Sequence, residues 1–219
     1  LETAGDGGGA DDGLFAASRH ALLQRQRRVG YGGLESKWLR LHCQSDACAG
    51  AGGKTLHLAA MMENKGQIIA TDIYQSKLNE LKRRTRRAGA HNVETRLLES
   101  SKTIKKLAGK MDGLLIDAPC SGLGVLRRNP DAKWKLQPEF IEKIKETQQE
   151  ILQSYSRVVK SGGRMVYATC SIFPSENEVQ VDKFLNSEAG ADFELEDSQT
   201  LYAHRDGFDG FFMARMIKK

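Results

Sequence analysis

Short apolar runs alternate with helical patterns from residue 46 to the end of the chain, and this alternation restricts the fold more than any other feature of the sequence. The apolar runs have the length of buried strands, and the segments between them carry apolar residues at helical spacing. Predicted strands are 67–71, 93–98, 113–116, 165–169, 193–195 and 211–217. Predicted helices are 55–62, 76–88, 103–107, a long helix from Pro138 closed by Gly162 and Gly163, and a last helix from a Ser175–Glu178 capping box to about Leu185. This pattern predicts an α/β fold with a mostly parallel sheet covered by helices on both faces.

The region before residue 46 does not follow this pattern. Residues 1–13 hold five glycines and four acids, which predicts a disordered tail. Residues 14–45 form an atypical N-terminal segment, in which a possible strand over 38–43 is interrupted by charged side chains and residues 44–46 are too polar for a good strand end. We therefore assign 46–219 to one domain, a length that suits a single core.

Composition excludes some classes of protein and leaves others open. The chain has 33 Lys and Arg against 28 Asp and Glu, and this excess of +5 is compatible with a polyanionic partner without indicating one. The sequence lacks both a run of about 18 apolar residues and the pattern of a signal peptide, so we expect no membrane segment and a cytoplasmic location.

The four cysteines do not form a metal-binding pattern. They are Cys43, Cys48, Cys120 and Cys170, and none forms a CxxC pair. Without histidine partners at ligand spacing they do not predict a zinc site, and we expect no bound metal. In a reducing cytoplasm a chain of this size needs no disulfide, so free thiols are expected.

A glycine-rich turn precedes the first predicted helix. Residues 47–55, ACAGAGGKT, let backbone N–H groups approach a ligand closely, which favours a nucleoside-binding turn. Asp72 ends the next strand, where an acid can bind ribose hydroxyls or simply cap a helix. The alternative is a phosphate-binding loop, whose GK[ST] ending is present but whose opening glycine is replaced by Cys48.

Two Cys-Ser pairs follow two separate predicted strands. Cys120 lies in DAPCSG after strand 113–116, and Cys170 lies in ATCS after strand 165–169. A single cysteine at such a place is usually a small core residue. Two of them beside a nucleoside-type turn favour reactive thiols, because a thiolate can add to carbon 6 of a pyrimidine and so make carbon 5 able to accept a methyl group from a sulfonium donor.

These motifs together resemble a known family. DAPCSGLGVLRRNPDAKW (117–134), YATCSIFPSENE (167–178), ACAGAGGKT (47–55) and DGFFMAR (209–215) are similar, in the same order, to the signature blocks of the Sun/nucleolar-protein family of RNA cytosine-5 methyltransferases. Within it they resemble the catalytic domain of the bacterial ribosomal RNA small-subunit methyltransferase B group. The resemblance implies a Rossmann-like, S-adenosylmethionine-dependent methyltransferase with a seven-stranded, mostly parallel sheet and an antiparallel last strand.

The resemblance also implies roles for single residues. Cys170 would attack carbon 6, Cys120 would assist release of the methylated RNA, and Asp117 would lie near the base edge and the methyl donor. The implied cofactor-binding residues are Cys48, Ala49, Gly50, Ala51, Gly52, Gly53, Lys54, Asp72, Glu99 and Asp117. Ala51 replaces the family's usual proline, and the spacing of the acid near the adenine points to Leu98 or Glu99, of which Glu99 is the carried-over residue. Residues 14–45 also lack the apolar strand that normally precedes the turn.

The expected partner is RNA, either rRNA or tRNA, bound by a monomer without membrane contact. Arg127, Arg128, Lys133 and Trp134 follow the Cys120 loop and are the candidate RNA contacts, since cations and an aromatic ring hold phosphates and stack on bases. Trp134 could equally pack against the long helix. The basic run over 82–87 is compatible with the solvated face of a helix. The sequence thus predicts cytosine-5 methylation of RNA. The alternatives are a family member that binds without turnover, a nucleotide-hydrolysing domain and, less favoured, a DNA cytosine methylase.

Overall fold

The computed structural model describes residues 42–219, and predictions for 1–13 and for most of 14–45 lie outside these residues. The described part contains one seven-stranded sheet with the strand order β3-β2-β1-β4-β5-β7-β6. The strands are β1 Cys43–Ala47, β2 Gln67–Asp72, β3 Val93–Leu97, β4 Met111–Asp117, β5 Val159–Thr169, β6 Phe193–Leu201 and β7 Phe211–Lys218. The helices are α1 Gly53–Met61, α2 Gln75–Arg87, α3 Ser101–Lys105, α4 Ala132–Lys135, α5 Pro138–Tyr155, α6 Glu178–Leu185 and α7 Ala203–Asp206.

One strand of this sheet is reversed. Strands β1 to β5 pair in parallel, and β7 pairs antiparallel with both β5 and β6. The prediction of a mostly parallel sheet with an antiparallel last strand is confirmed. Because β1 to β5 point the same way, the loops that follow them gather at one edge of the sheet, where ligands bind in open α/β folds.

Helices cover both faces of the sheet. Ile69 and Ala70 are neighbours on β2 and therefore point to opposite faces. Ile69 belongs to a buried cluster with Leu152 of α5, whereas Ala70 packs with Leu78 and Leu81 of α2. Within residues 42–219, no helix combines the length and the apolar character that a bilayer crossing requires.

Strand β1 corrects the interpretation of residues 44–46 as a poor strand end. Gln44, Ser45 and Asp46 are at most 1% exposed and form the centre of the sheet between β2 and β4. Their polar groups are partly satisfied inside the fold, since Thr55 Oγ1 donates to Asp46 Oδ2 at 2.5 Å. Backbone pairing with two neighbours holds this strand despite three consecutive polar side chains at its centre.

Two other element boundaries differ from the prediction. The long helix ends at Tyr155 instead of running to Gly162 and Gly163, and both glycines lie inside β5 next to a shift in its register with β4. Val159 therefore belongs to the sheet, because a buried strand and a buried helix face carry the same apolar residues. No capping box forms at Ser175, since α6 begins at Glu178 after a short turn.

Candidate functional site

The turn after β1 has the backbone that its glycines predict. Cys48, Gly50 and Gly52 all have positive φ, at 60°, 55° and 87°. A Cβ atom on Gly52 would lie 2.0 Å from Leu81 Cδ1, so α2 packs directly against this turn. The turn leads into α1 at Gly53 and presents its backbone at the ligand-binding edge of the sheet.

Asp72 fixes this turn to the end of β2. Its Oδ2 accepts the Gly50 N–H at 2.8 Å, and its Oδ1 accepts the Tyr74 N–H at 2.8 Å. Each oxygen keeps a further lone pair that can accept a hydroxyl. Glu99, by contrast, is exposed and lies after β3, where the Leu98 N–H donates to the Asp72 carbonyl at 3.0 Å. Both acids therefore lie at the same edge as the turn.

Asp46 is a site residue that the sequence pattern did not single out. Its carboxylate is fully buried at the end of β1, and within the described residues its Oδ1 has no hydrogen-bond partner. Burial raises the pKa of Asp46 to about 7, against the opposing hydrogen bond from Thr55. The Cys48 thiol beside it is also held neutral, since burial and then the charge of Asp72 raise its pKa to about 12. Cys48 thus has the acidity of an inert thiol.

Lys54 joins the glycine turn to the end of β4. Its Nζ donates to Asp117 Oδ2 at 2.5 Å and lies 5.6 Å from the centre of the Phe211 ring. Both partners of the ion pair are partly exposed, with side-chain accessibilities of 41% and 33%. A charged pair that faces an open site can exchange one partner for a polar ligand at little cost.

The two Cys-Ser pairs meet at the ends of β4 and β5. Cys120 Sγ and Cys170 Sγ are 3.3 Å apart, and all four cysteines are free thiols. The hydrogen bond from Cys120 lowers the pKa of Cys170 to about 7, although burial and Asp117 act in the opposite direction. The same contact, with burial, raises the pKa of Cys120 well above that of an ordinary thiol. The contact therefore favours ionisation of Cys170 near neutral pH, with Cys120 as the thiol that stays protonated.

Two glycines bring the C-terminal motif against these loops. The Gly124 N–H donates to the Cys170 carbonyl at 2.8 Å, and the Gly210 N–H donates to the Gly124 carbonyl at 2.7 Å. A Cβ atom on Gly124 would lie 2.2 Å from the Gly210 oxygen, so only glycine fits this crossing. The DAPCSG, ATCS and DGFF segments are thus parts of one site.

The candidate RNA contacts lie on the surface beyond this crossing. Arg127, Arg128, Lys133 and Trp134 are all exposed. Arg128 forms an ion pair with Asp209 at 2.6 Å, and Lys133 Nζ lies 4.7 Å from the centre of the Trp134 ring. Trp134 is 77% exposed, so the alternative that it packs against the long helix is wrong.

The residues present fit S-adenosylmethionine. A turn with three positive φ values, a fixed acid at the end of β2 and an unpartnered buried carboxyl oxygen at the end of β1 together form a polar cradle. Such a cradle offers acceptors for ribose hydroxyls and an ammonium group, and backbone for close approach. Lys54 and Asp117 then lie between this cradle and the thiols.

Comparisons with known proteins agree with this geometry. The model of the 16S rRNA methyltransferase RsmB/F family matches residues 42–217. The probable ribosomal RNA small subunit methyltransferase B of Synechocystis sp. is 36% identical over 190 residues, which cover 79% of this chain and 42% of that protein. Ribosomal RNA small subunit methyltransferase B of Escherichia coli is 36% identical over 190 residues, covering 80% of this chain and 42% of that protein. The chain thus spans less than half the length of these curated relatives.

Solved structures share the fold. The crystal structure of PH0851 has a TM-score of 0.77 and 34% identity, and the match covers 84% of this chain and 45% of that one. NSun6 from Pyrococcus horikoshii with SFG, an S-adenosylmethionine analogue, has a TM-score of 0.73 and 28% identity, covering 84% and 50%. The cofactor of this fold family is S-adenosylmethionine. With 176 of its 219 residues inside the family model, the chain belongs to the 16S rRNA methyltransferase RsmB/F family.

Proposed function

We propose that this chain methylates carbon 5 of cytosine in RNA, rRNA or tRNA, with S-adenosylmethionine as the methyl donor. The observation that carries the proposal is the pair of thiols 3.3 Å apart beside the Asp117–Lys54 ion pair. Carbon 5 of cytosine is a poor nucleophile until a nucleophile adds to carbon 6, and a thiolate is the side chain best suited to that addition.

Cys170 is assigned as the attacking group. Its pKa of about 7 leaves a large fraction of it as thiolate at neutral pH. Addition of its sulfur to carbon 6 moves the electron pair of the 5,6 double bond to carbon 5 and ring nitrogen 3, and the Lys54 ammonium, held by Asp117, is assigned to stabilise this negative charge. S-adenosylmethionine supplies an electrophilic methyl group to carbon 5.

Cys120 is assigned to product release. After methylation, the proton on carbon 5 has to leave before the carbon–sulfur bond to Cys170 can break and restore the double bond. Once the Cys170 sulfur is bonded to carbon, its charge no longer raises the pKa of Cys120, so Cys120 can lose its proton to solvent, accept the carbon 5 proton and let Cys170 leave as a thiolate. The target base has to leave its stack to reach this site, since carbon 6 is not accessible to a thiol inside a helix.

The test is methyl transfer from labelled S-adenosylmethionine to small-subunit rRNA and tRNA transcripts, with 5-methylcytosine mapped in the product. Cys170→Ala is expected to abolish transfer, and Cys120→Ala to accumulate a covalent RNA–protein adduct that survives a denaturing gel. Cys43→Ala is the matched control, because Cys43 begins β1 at the opposite edge of the sheet. Normal transfer by Cys170→Ala would overturn the assignment.

A second outcome separates activity from binding. A chain that binds S-adenosylhomocysteine by calorimetry yet methylates no RNA would support the alternative of binding without turnover. Thermal stabilisation by ATP but not by S-adenosylhomocysteine would instead favour a nucleotide-hydrolysing domain. Methyl transfer to DNA but not to RNA would favour a DNA methylase.

A further inference from the structure

A buried carboxylate lies behind the two cysteine loops. Glu176, in the turn before α6, is 0% exposed. Its Oε2 accepts the Ser121 N–H at 2.7 Å and a longer bond from Gln148 Nε2 at 3.3 Å, and its Oε1 accepts the Ser171 hydroxyl at 2.6 Å. A buried charge is tolerated only with such donors, and hydrogen bonds to it are short and strong.

The partners of Glu176 are the direct neighbours of the two cysteines. Ser121 follows Cys120 and Ser171 follows Cys170, and the two serine hydroxyls are 3.1 Å apart. Each Cys-Ser pair thus has its thiol in the site and its serine bonded to Glu176. Gln148 extends the contact, since its Nε2 also donates to the Pro119 carbonyl at 2.9 Å, on the other side of Cys120.

The backbone that carries Glu176 is itself fixed to β5. The Tyr167 hydroxyl donates to the Glu176 carbonyl at 2.7 Å. Asn177 Nδ2 donates to the Ser171 carbonyl at 3.1 Å, and Asn177 Oδ1 accepts the Thr169 hydroxyl at 2.6 Å. The carboxylate is therefore a rigid point between the loop after β4 and the loop after β5.

We propose that Glu176 is the positioning residue that holds the Cys120 and Cys170 thiols within hydrogen-bond distance of each other. This inference deepens the proposed function and rests on it for its catalytic meaning. A role confined to folding would make Glu176 important for stability alone. A positioning role makes it important for the acidity of Cys170, which depends on the contact with Cys120.

The sign of the change in acidity separates the two roles. The groups that face Cys170 are Cys120, Asp117 and Lys54. Those that face the Glu176 carboxylate are Ser121, Ser171 and Gln148, and the Tyr167 hydroxyl is bonded to the Glu176 carbonyl. Removing the negative charge of Glu176 would by itself favour thiolates and lower their pKa. Loosening the two loops removes the hydrogen bond from Cys120 and raises the pKa of Cys170.

The experiment is the pH dependence of alkylation of Cys170 by iodoacetamide, followed by peptide mass spectrometry on the full chain. For Glu176→Gln we expect the midpoint to move upward by about one pH unit, which is roughly fivefold slower alkylation at neutral pH. An unchanged or lower midpoint in a folded Glu176→Gln protein would overturn the proposal. The assay uses neither RNA nor methyl donor, so its result is independent of whether the proposed function holds.

Matched variants control for stability. Asp112→Asn also neutralises a carboxylate that accepts backbone N–H groups, those of His42 and Cys43, but at the opposite edge of the sheet. It should leave the midpoint for Cys170 unchanged. If Glu176→Gln does not fold, the alkylation midpoint of Cys170 is measured in Ser171→Ala instead. This variant removes the hydrogen bond from Ser171 to Glu176 without burying a new group. Ser156→Ala is its control, since that buried hydroxyl bonds Gln153 on α5.

Turnover gives a second readout if the chain is active. Glu176→Gln should lower kcat for RNA methylation roughly tenfold while the affinity for S-adenosylhomocysteine stays within about twofold, because small misplacements of reacting groups act on the chemical step. Loss of cofactor affinity in parallel with kcat would indicate a general structural role and contradict the proposal.

Discussion

At the scale of single residues, one hydrogen bond between two cysteines gives their thiols different pKa values. Cys120 and Cys170 each follow a strand and precede a serine, and sequence pattern alone does not rank their acidity. In the structure the two sulfurs are 3.3 Å apart, and this hydrogen bond lowers the pKa of Cys170 to about 7 and raises that of Cys120. The group assigned as nucleophile by family resemblance is thus also the one that geometry favours as thiolate.

This contact makes a prediction for pH dependence. Methyl transfer should increase as pH rises through about 7 and level off above it, because the thiolate of Cys170 is the reactive form. Cys120→Ala removes the donor, so the alkylation midpoint of Cys170 should move upward toward that of a free thiol. Cys43→Ala should leave the midpoint in place. A midpoint that falls in Cys120→Ala would contradict the described hydrogen bond.

Asp46 makes a prediction for stability. Its pKa rises from 3.8 in the unfolded chain to about 7 in the fold, so the folded state binds the proton more tightly. Its contribution to stability is full below pH 3.8 and is lost as pH rises through about 7. Asp46→Asn cannot ionise, so at pH 8 it should be more stable than the wild type, by on the order of 2–4 kcal/mol at most. Urea unfolding at pH 5 and 8 measures this.

Asp112 provides the opposite case as a control. Burial alone would raise its pKa, but Lys160 and two backbone N–H groups outweigh burial and hold the pKa below its usual value. Asp112→Asn should therefore lose stability at pH 8, where Asp46→Asn gains it. If Asp46→Asn gained no more stability over the wild type at pH 8 than at pH 5, the assigned protonation of Asp46 would be wrong.

At the scale of helices and strands, the sequence predicted the elements whose patterns are local. Most strands after residue 66 and the longer helices between them follow from apolar spacing, whereas the short helices α4 and α7 and the second half of β6 were not predicted. Strand β1 was not predicted, because Gln44, Ser45 and Asp46 are buried by two neighbouring strands and by α1, which no local pattern records. Glu176 was missed for the same reason: its partners are 5, 28 and 55 residues away in sequence.

Gly52 tests how tightly the turn and α2 constrain each other. Gly52→Ala places a Cβ atom 2.0 Å from Leu81 Cδ1 and 3.1 Å from Leu81 Cγ, so the fully buried Leu81 side chain has to shift. The positive φ of 87° adds backbone strain, so the total cost should be about 2–4 kcal/mol. Thermal unfolding and calorimetric titration with S-adenosylhomocysteine should both show the loss.

The adjacent glycine is the matched control for this prediction. A Cβ atom on Gly53 would meet nothing within 4 Å, and Gly53 has no positive φ. Gly53→Ala also begins α1, where alanine is favoured over glycine, so its stability should be unchanged or slightly higher. Equal losses in the two variants would show that the close packing on Leu81 is not the cause.

At the scale of the whole molecule, the chemistry of this chain is gathered at one edge of its sheet. Strand β1 is followed by the glycine turn, β2 ends at Asp72, β4 ends at Asp117 before the first Cys-Ser pair, and β5 is followed by the second Cys-Ser pair. The hydrogen bond between Gly210 and Gly124 lies on one side of this group. The polar surface that continues from this edge is formed by residues 127–135. The chain spans 42% of the length of the two curated relatives compared above.

Salt dependence can test whether residues 127–135 bind the RNA backbone. Each phosphate contact on a single strand contributes a slope of about 0.7 to the plot of log affinity against log salt, so an Arg127→Ala/Lys133→Ala double variant should lower the slope by about 1.4. Affinity should fall for every RNA tested, whereas affinity for S-adenosylhomocysteine should not change. The control is Arg86→Ala/Arg87→Ala, which removes two exposed cations from α2 and the same net charge. An equal fall in slope for both double variants would mean that overall charge binds RNA, and that the surface after Cys120 has no special part in it.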